Sequence, residues 1–94
     1  METNYSIEWL YNECVNHKHA LEITLKGEEY SSHVVNDIIL ADDKERELII
    51  YNILHGINTN NGIIRCEGYV GSVNAKIEEF SLRVEDIIEV HKCK

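Results

Sequence analysis

The 94-residue sequence has no proline, one tryptophan, one phenylalanine and only three cysteines. Cys14, Cys66 and Cys93 are far apart and odd in number, whereas a disulfide-stapled small domain carries a denser, even set. We therefore expect free thiols and a cytoplasmic location. Because proline is absent, the turns must be built from Asn, Asp and Gly.

Long apolar runs are also missing. No stretch approaches the roughly 20 apolar residues of a membrane-spanning helix, and residues 1–4 have neither the basic nor the apolar region of a signal peptide. We expect no membrane partner. Hydrophobic residues make up 44% of the chain and charged residues 28%, which is ordinary for a globular protein. These values predict one folded domain over residues 1–94.

Basic residues are scarce, at nine against seventeen acids, which gives a net charge of −8. The first fifty residues hold eleven acids and four bases, so the negative charge is concentrated there. A protein that binds nucleic acid passively needs a basic stripe to neutralise phosphates, and here the bases are scattered. We therefore expect no direct binding to nucleic acid.

Residues 6–18 are predicted to form an amphipathic helix that begins at the N-cap Ser6. Trp9 lies off the apolar side of this helix. The apolar side follows the spacing that a helix needs to bury one face, which predicts that its first four residues pack on a sheet. Its members are Ile7, Leu10, Tyr11, Cys14 and Val15.

The remainder of the chain is dominated by short segments with the patterns of β-strands. A phase change at Glu78-Glu79 predicts a β-bulge, and Val84-Glu85-Asp86 predicts a short turn. The predicted strands are 20–26, 33–41, 46–54, 63–70, 73–84 and 87–91.

The segment 42–55 has two interpretations. Asp42 and Glu45 match a capping box that would start a helix ending at Gly56. Alternatively, residues 42–45 form a hairpin turn before a strand over 46–54. The isoleucines in this segment favour the strand, which we predict. The fold class is then α+β and mostly β: an N-terminal helix, then a five- to six-stranded antiparallel small barrel over about 20–91, which leaves no exposed strand edges.

Two segments resemble known small barrels. Leu21–Tyr30 is similar to the first strand and glycine turn of the Sm-like family, and Leu82–Val90 is similar to the closing strand of small barrels that include YolD-like domains. The resemblance implies the fold. It does not imply the Sm-like RNA site, because Asn36-Asp37 stand in a different arrangement and Val84-Glu85-Asp86 is acidic where that family has a basic residue.

A zinc site is an alternative that the sequence leaves open. Cys14-x-x-His17-x-His19 and His91-x-Cys93 could supply four ligands of the kinds that zinc prefers. No Cys-x-x-Cys pair anchors such a site, and Cys14 belongs to the apolar side of the helix. We therefore predict no metal and no cofactor, with a zinc-stabilised structural protein bound through Cys14, His17, His91 and Cys93 as the alternative.

No pattern indicates catalysis. Nothing in the sequence orients Cys66 toward His33 or His55 as a nucleophile and base. The paired acids fall in predicted turns or bulges, and residues 68–71 have the glycines of a bent strand and not of a phosphate-binding loop. We predict that the protein is not an enzyme.

The acids suggest a different role, since segment 22–47 carries eight acids and three bases. We predict a non-catalytic interaction module that docks an acidic surface on a basic protein surface. The alternative is an Sm-like barrel that binds RNA or a nucleotide as a homo-oligomeric ring. The predicted partner-binding residues are Glu28, Glu29, Tyr30, Asp42, Asp43 and Trp9.

The abundance of Ile, Asn, Glu and Lys is similar to that of short phage or mobile-element proteins of low-GC bacteria. Several small acidic anti-defence and anti-CRISPR inhibitors occupy basic nucleic-acid channels. This resemblance implies an inhibitor of a host protein that acts in the bacterial cytoplasm.

Overall fold

Five antiparallel strands form one sheet that carries two helices, so the α+β, mostly β class is confirmed. The computed structural model describes residues 5–71 and 76–93. Neither helix within those residues has the length and apolar character that crossing a membrane requires. The elements are α1 Ile7–Tyr11, a π-helical turn Asn12–Asn16, β1 Leu21–Leu25, β2 His33–Ile39, α2 Asp43–Leu54, β3 Ile63–Val70, β4 Glu78–Arg83, a 3₁₀ turn Val84–Asp86 and β5 Ile87–Lys92.

The strand order across the sheet is β4-β3-β2-β1-β5. In the part of the chain that the structure describes, β4 and β5 are the two edges and no ladder joins them. The sheet is therefore open, and the predicted closure into a barrel is not confirmed. The strand predicted over 63–70 has the predicted bounds, and the short turn at 84–86 is present.

The prediction of a strand over 46–54 was wrong, because this segment is the helix α2. Its start is the capping arrangement that the sequence offered as the alternative. The Asp42 carboxylate accepts a hydrogen bond from the backbone N–H of Glu45 at 2.9 Å, and the Glu45 carboxylate accepts one from the N–H of Ala41 at 2.7 Å. The first bond satisfies an amide of the first helical turn, which a helix start leaves without a partner. The second ties the Glu45 side chain to the residue before the N-cap.

The end of α2 is equally well defined. Gly56 takes the left-handed conformation, with φ of 66°, and its N–H donates to the carbonyl of Ile53 at 3.3 Å. The N–H of Ile57 donates to the carbonyl of Asn52 at 2.8 Å. This pair of bonds is a Schellman motif, which favours glycine at the left-handed position because glycine has no Cβ. Local capping at both ends thus outweighs the strand preference of the isoleucines.

The core lies between α1 and one face of the sheet. The predicted burial of Leu10, Tyr11 and Cys14 is confirmed, whereas Ile7 and Val15 are only half-buried against the same cluster. Alternate residues of the strands complete the cluster, as expected for a sheet with one covered face. They include Leu21, Ile23, Leu25, Val35, Ile38, Ile64, Cys66 and Leu82.

The predicted bulge at Glu78-Glu79 was wrong, since both residues keep a regular register with β3. The predicted strand over 73–84 begins only at Glu78, and residues 72–75 lie outside the described residues. Irregular pairing occurs instead in β1 and in β2, between Val35 and Asp37. Gly68 lies opposite that point, where an added Cβ would come within 1.8 Å of the Val34 carbonyl oxygen. The irregularity in β2 is therefore matched to a glycine on the neighbouring strand.

Replacing Leu10 by alanine tests whether α1 is docked on the sheet. Leu10 is fully buried, so we expect Leu10→Ala to lower the free energy of unfolding by about 2–5 kcal/mol in urea denaturation. Leu54→Ala is the matched control, because Leu54 is 77% exposed and should change stability by less than about 0.5 kcal/mol. Equal effects of the two substitutions would contradict the docking of α1.

Candidate functional site

A buried carboxylate joins α1, α2 and the loop before β3. Glu8 on α1 is only 4% exposed. Its Oε2 accepts hydrogen bonds from the Asn52 amide and from the Thr59 hydroxyl, each at 2.9 Å, and its Oε1 accepts the backbone N–H of Thr59. The partners lie 44 and 51 residues away along the chain, so Glu8 fixes three distant segments together.

The electrostatics of Glu8 depend on a balance of two effects. Burial by itself raises the pKa of a carboxyl group, because it disfavours the charged form. The hydrogen bonds donated by Thr59 and Asn52 outweigh this effect, so the pKa of Glu8 lies below its usual value. Glu8 is therefore an ionised carboxylate at neutral pH with its charge spread over donated hydrogen bonds.

A shallow groove of about 160 Å³ lies beside this bridge, between α1 and α2. Its volume is small compared with the roughly 300–1,000 Å³ of small-molecule sites. Trp9, half-buried, lines the groove with Ile53 and Ile57, and its ring lies 5.4 Å from that of Tyr5. The groove therefore extends an exposed surface and does not form a ligand pocket of usual size.

The outer face of α2 is the main apolar surface next to this groove. Leu48, Tyr51 and Leu54 lie three residues apart and are 59%, 53% and 77% exposed. Residues at this spacing are neighbours along one side of a helix. Ile50 adds a further exposed side chain, at 41%. We refer to Leu48, Ile50, Tyr51 and Leu54 as the α2 apolar face.

The predicted partner-binding residues do not form one surface. Glu28, Glu29 and Tyr30 are exposed in the turn before β2, with Tyr30 fully exposed. Asp42 and Asp43 follow the other end of this seven-residue strand, roughly 20 Å away at about 3.3 Å per residue. The acids therefore divide into two groups, of which only the second adjoins α2.

Trp9, the sixth predicted partner-binding residue, belongs with α2 and not with the turn. It shares the groove with Asn52 and Ile53 of that helix. Its position off the apolar side of α1 is explained by this contact. Trp9 therefore lies beside the C-terminal part of α2, whereas Asp42 and Asp43 lie at the N-terminal end of the same helix.

The four residues of the alternative zinc site are not brought together. Cys14 is buried, with its Sγ 4.0 Å from the Val35 carbonyl oxygen, while His91 is exposed and contacts Glu89 at 2.6 Å. The N–H of Cys93 donates to the carbonyl of Ala20. Among the described residues, one group of three His, Cys or acidic side chains has its ligating atoms within 4.8 Å of one another, namely Glu13, His17 and His19.

The buried cysteines are not activated nucleophiles. Burial raises the pKa of both Cys14 and Cys66 to about 12, so each is a protonated thiol at neutral pH. Cys66 pairs with Ile38 in the sheet, whereas His33 pairs with Val70 at the far end of β3. The placement of Cys66 accords with a packing role.

The basic side chain of Arg65 is paired with a carboxylate on the neighbouring strand. Arg65 and Tyr69 lie on the exposed side of β3, with Glu67 between them. The Arg65 guanidinium makes a hydrogen-bonded ion pair with Glu79 on β4, at 2.8 Å. The positive charge that a phosphate would meet at Arg65 is therefore partly compensated by Glu79.

Comparison with family models, with curated proteins and with solved structures finds no match to this chain.

Glu8→Gln tests the polar bridge. A glutamine offers one acceptor oxygen where Glu8 uses two, so we expect a loss of about 2 kcal/mol in the free energy of unfolding at pH 7. The pKa of Glu8 is lower in the folded protein than its usual value of 4.5. The stabilisation that the ionised carboxylate gives is therefore fully present above pH 4.5 and is lost as the pH falls through the pKa of the folded state. The difference between wild type and variant should therefore shrink in acid.

The measurement is urea denaturation of both proteins at neutral and acidic pH. Glu47→Gln serves as the control, because Glu47 is exposed on α2 and should have little effect at either pH. If the difference in the free energy of unfolding between wild type and Glu8→Gln stays constant with pH, the charge of Glu8 does not stabilise the contact between α1, α2 and the loop before β3.

Proposed function

We propose that this protein is a non-catalytic interaction module that binds a basic surface of another protein through the α2 apolar face. The observation that carries the proposal is the exposure of Leu48, Tyr51 and Leu54 along one side of a helix. Contiguous exposed apolar surface on a soluble protein is typical of interaction sites. Tyrosine is also enriched among the residues that dominate binding energy.

The packing of α2 supports this interpretation. Among the helix residues only Ile49 and Asn52 are buried, and Ile53 packs partly on the core. The helix therefore contributes few apolar side chains to its own domain. Burial of the α2 apolar face against a partner would remove four exposed side chains from water, which is favourable in proportion to the apolar area.

The charge around α2 favours a basic partner. The residues that precede and begin the helix hold four acids against two bases, Lys44 and Arg46, and the whole chain carries a net charge of −8. Arg46 pairs with Asp43 at 3.8 Å, so the charge at this end of the helix is negative but partly compensated. Complementary charge raises the rate of encounter and disfavours acidic partners. We therefore propose a partner whose apolar contact site is bordered by Lys or Arg. The four acids are Asp42, Asp43, Glu45 and Glu47.

We propose an Sm-like small barrel as the nearest fold type. The order of a helix, β1, a glycine turn, β2, β3, β4, a short turn and β5 supports it, since this is the order that underlies the resemblance. Two departures are the insertion of α2 between β2 and β3 and the open sheet of the described residues. Binding of RNA or a nucleotide by such a barrel is the second candidate function.

A narrower proposal concerns the kind of partner. The resemblance in composition to small acidic phage proteins supports a bacterial host protein that binds nucleic acid, with the acidic end of α2 entering its basic channel in the cytoplasm. A polyanion such as heparin should then compete with this protein for the partner, because both occupy positive charge.

Capture with a matched pair of variants tests the proposed face. The double variant Leu48→Ser, Leu54→Ser should reduce the amount of bound partner by at least about tenfold relative to wild type, because hot-spot residues each contribute more than about 1 kcal/mol. The measurements are quantitative mass spectrometry of the proteins, and sequencing of the RNA, that are retained from extracts of the cell that produces this protein.

The control is Ile63→Ser, Ile88→Ser, which removes two exposed isoleucines from the sheet at 62% and 48% exposure. It should retain the partner at the wild-type level. Equal loss in both double variants would contradict the α2 apolar face as the contact. Recovery of RNA in place of a protein, unchanged in either variant, would favour the Sm-like alternative.

A further inference from the structure

A second feature, in and after the π-helical turn Asn12–Asn16, has no role in the proposed docking. The carboxylate of Glu13 lies between two imidazole rings: His19 Nδ1 is 2.9 Å from its Oε2 and His17 Nδ1 is 3.8 Å from its Oε1. One ligating atom from each of the three residues lies within 4.8 Å of the others. Glu13 is buried, while the two histidines are open to solvent at 52% and 43% exposure.

An unusual backbone produces this cluster. The segment Asn12–Asn16 is a π-helical turn, in which the N–H of His17 donates to the carbonyl of Asn12, five residues back, at 2.9 Å. Lys18 then takes a left-handed conformation with φ of 56°, the only non-glycine residue to do so in residues 5–71 and 76–93. This reversal lets two histidines separated by one residue both approach Glu13. π-turns and left-handed non-glycine residues are found frequently at functional sites.

Both carboxylate oxygens of Glu13 face basic side chains. Oε2 contacts His19 and Lys92, and Oε1 faces His17. The Lys92 Nζ lies 3.3 Å from Oε2. A buried carboxylate with lone pairs facing two imidazoles is the combination that Zn²⁺ and similar ions bind.

We propose that Glu13, His17 and His19 form a binding site for a divalent transition-metal ion, with Zn²⁺ as the fitting ion. Zinc takes His nitrogen and carboxylate oxygen at about 2.0–2.2 Å, so tetrahedral ligands lie roughly 3.3 Å apart. His19 Nδ1 lies 2.9 Å from Oε2 of Glu13 and His17 Nδ1 lies 3.8 Å from Oε1, and one ligand atom from each of the three residues lies within 4.8 Å of the others. Rotation of the exposed histidine side chains would bring the three ligand atoms to the spacing that zinc requires. Water completes the coordination at the solvent-exposed side.

The ion is an addition to the fold and not a condition for it. Glu13 already has partners in His19 and Lys92, and the core of α1 and the sheet is complete on the opposite side of the π-turn. Metal binding replaces the contact between Lys92 and Glu13 with a stronger one. It also ties the π-turn to the residues that lead into β1, which should raise the melting temperature by mass action.

The test is calorimetric titration of Zn²⁺ into tag-free protein at neutral pH. We expect one ion per chain, with the affinity reduced at least about tenfold in each of His17→Ala and His19→Ala. His91→Ala is the matched control, since His91 is an exposed histidine whose partner is Glu89, and it should bind like wild type. Binding should weaken in acid, because imidazole ligands must be neutral.

Two further measurements test whether all three residues bind the ion. Glu13→Gln should also lose affinity, and Co²⁺ should give the d–d absorption of a site with mixed nitrogen and oxygen ligands only in proteins that keep all three residues. Circular dichroism of each variant checks that the fold is retained. Absence of Zn²⁺ binding by the wild type, or equal loss in His91→Ala, would overturn the proposed site.

Discussion

The position of α2 depends on the buried carboxylate of Glu8. A helix that buries few apolar side chains gains little hydrophobic stabilisation from any one position on the domain. Asn52 of α2 and Thr59 of the following loop both donate to Glu8, which is itself held by the docked helix α1. Hydrogen bonds to a charged group have directional geometry, so they fix an orientation more narrowly than apolar contact alone. The orientation of α2 is thereby tied to the core through one side chain.

This polar attachment leaves the apolar residues of α2 available. If α2 were docked through Leu48, Tyr51 and Leu54, these side chains would be covered and the helix would be an ordinary part of the core. They are instead exposed next to an acidic helix start, while Asn52 is buried in their place. Ile49 is buried beside Asn52, so α2 buries one apolar and one polar side chain while Leu48, Tyr51 and Leu54 remain exposed. This exposure of apolar side chains is the physical basis for proposing that a partner covers this face.

Much of the sheet could be predicted from sequence, because the alternation of apolar and polar residues in a segment such as Ile63–Val70 indicates which side chains are buried. The same reasoning failed for α2, since its isoleucines and leucines are partly exposed and do not mark a buried side. The capping residues Asp42 and Glu45 and the terminal Gly56 were the local signals that identified the helix. The role of Glu8 and the meeting of His17 with His19 could not be predicted, because they depend on distant partners and on the left-handed Lys18.

Hydrogen exchange of the α2 amides in wild type and Glu8→Gln tests the central claim most directly. If Glu8 holds the helix, the amides of Ile49–Leu54 should exchange much faster in the variant, while those of β1, β2 and β3 keep their protection. The α2 apolar face would then be presented by a helix that Glu8 anchors. Unchanged protection of α2 in a variant that is less stable overall would show that other contacts hold the helix, and would contradict this account.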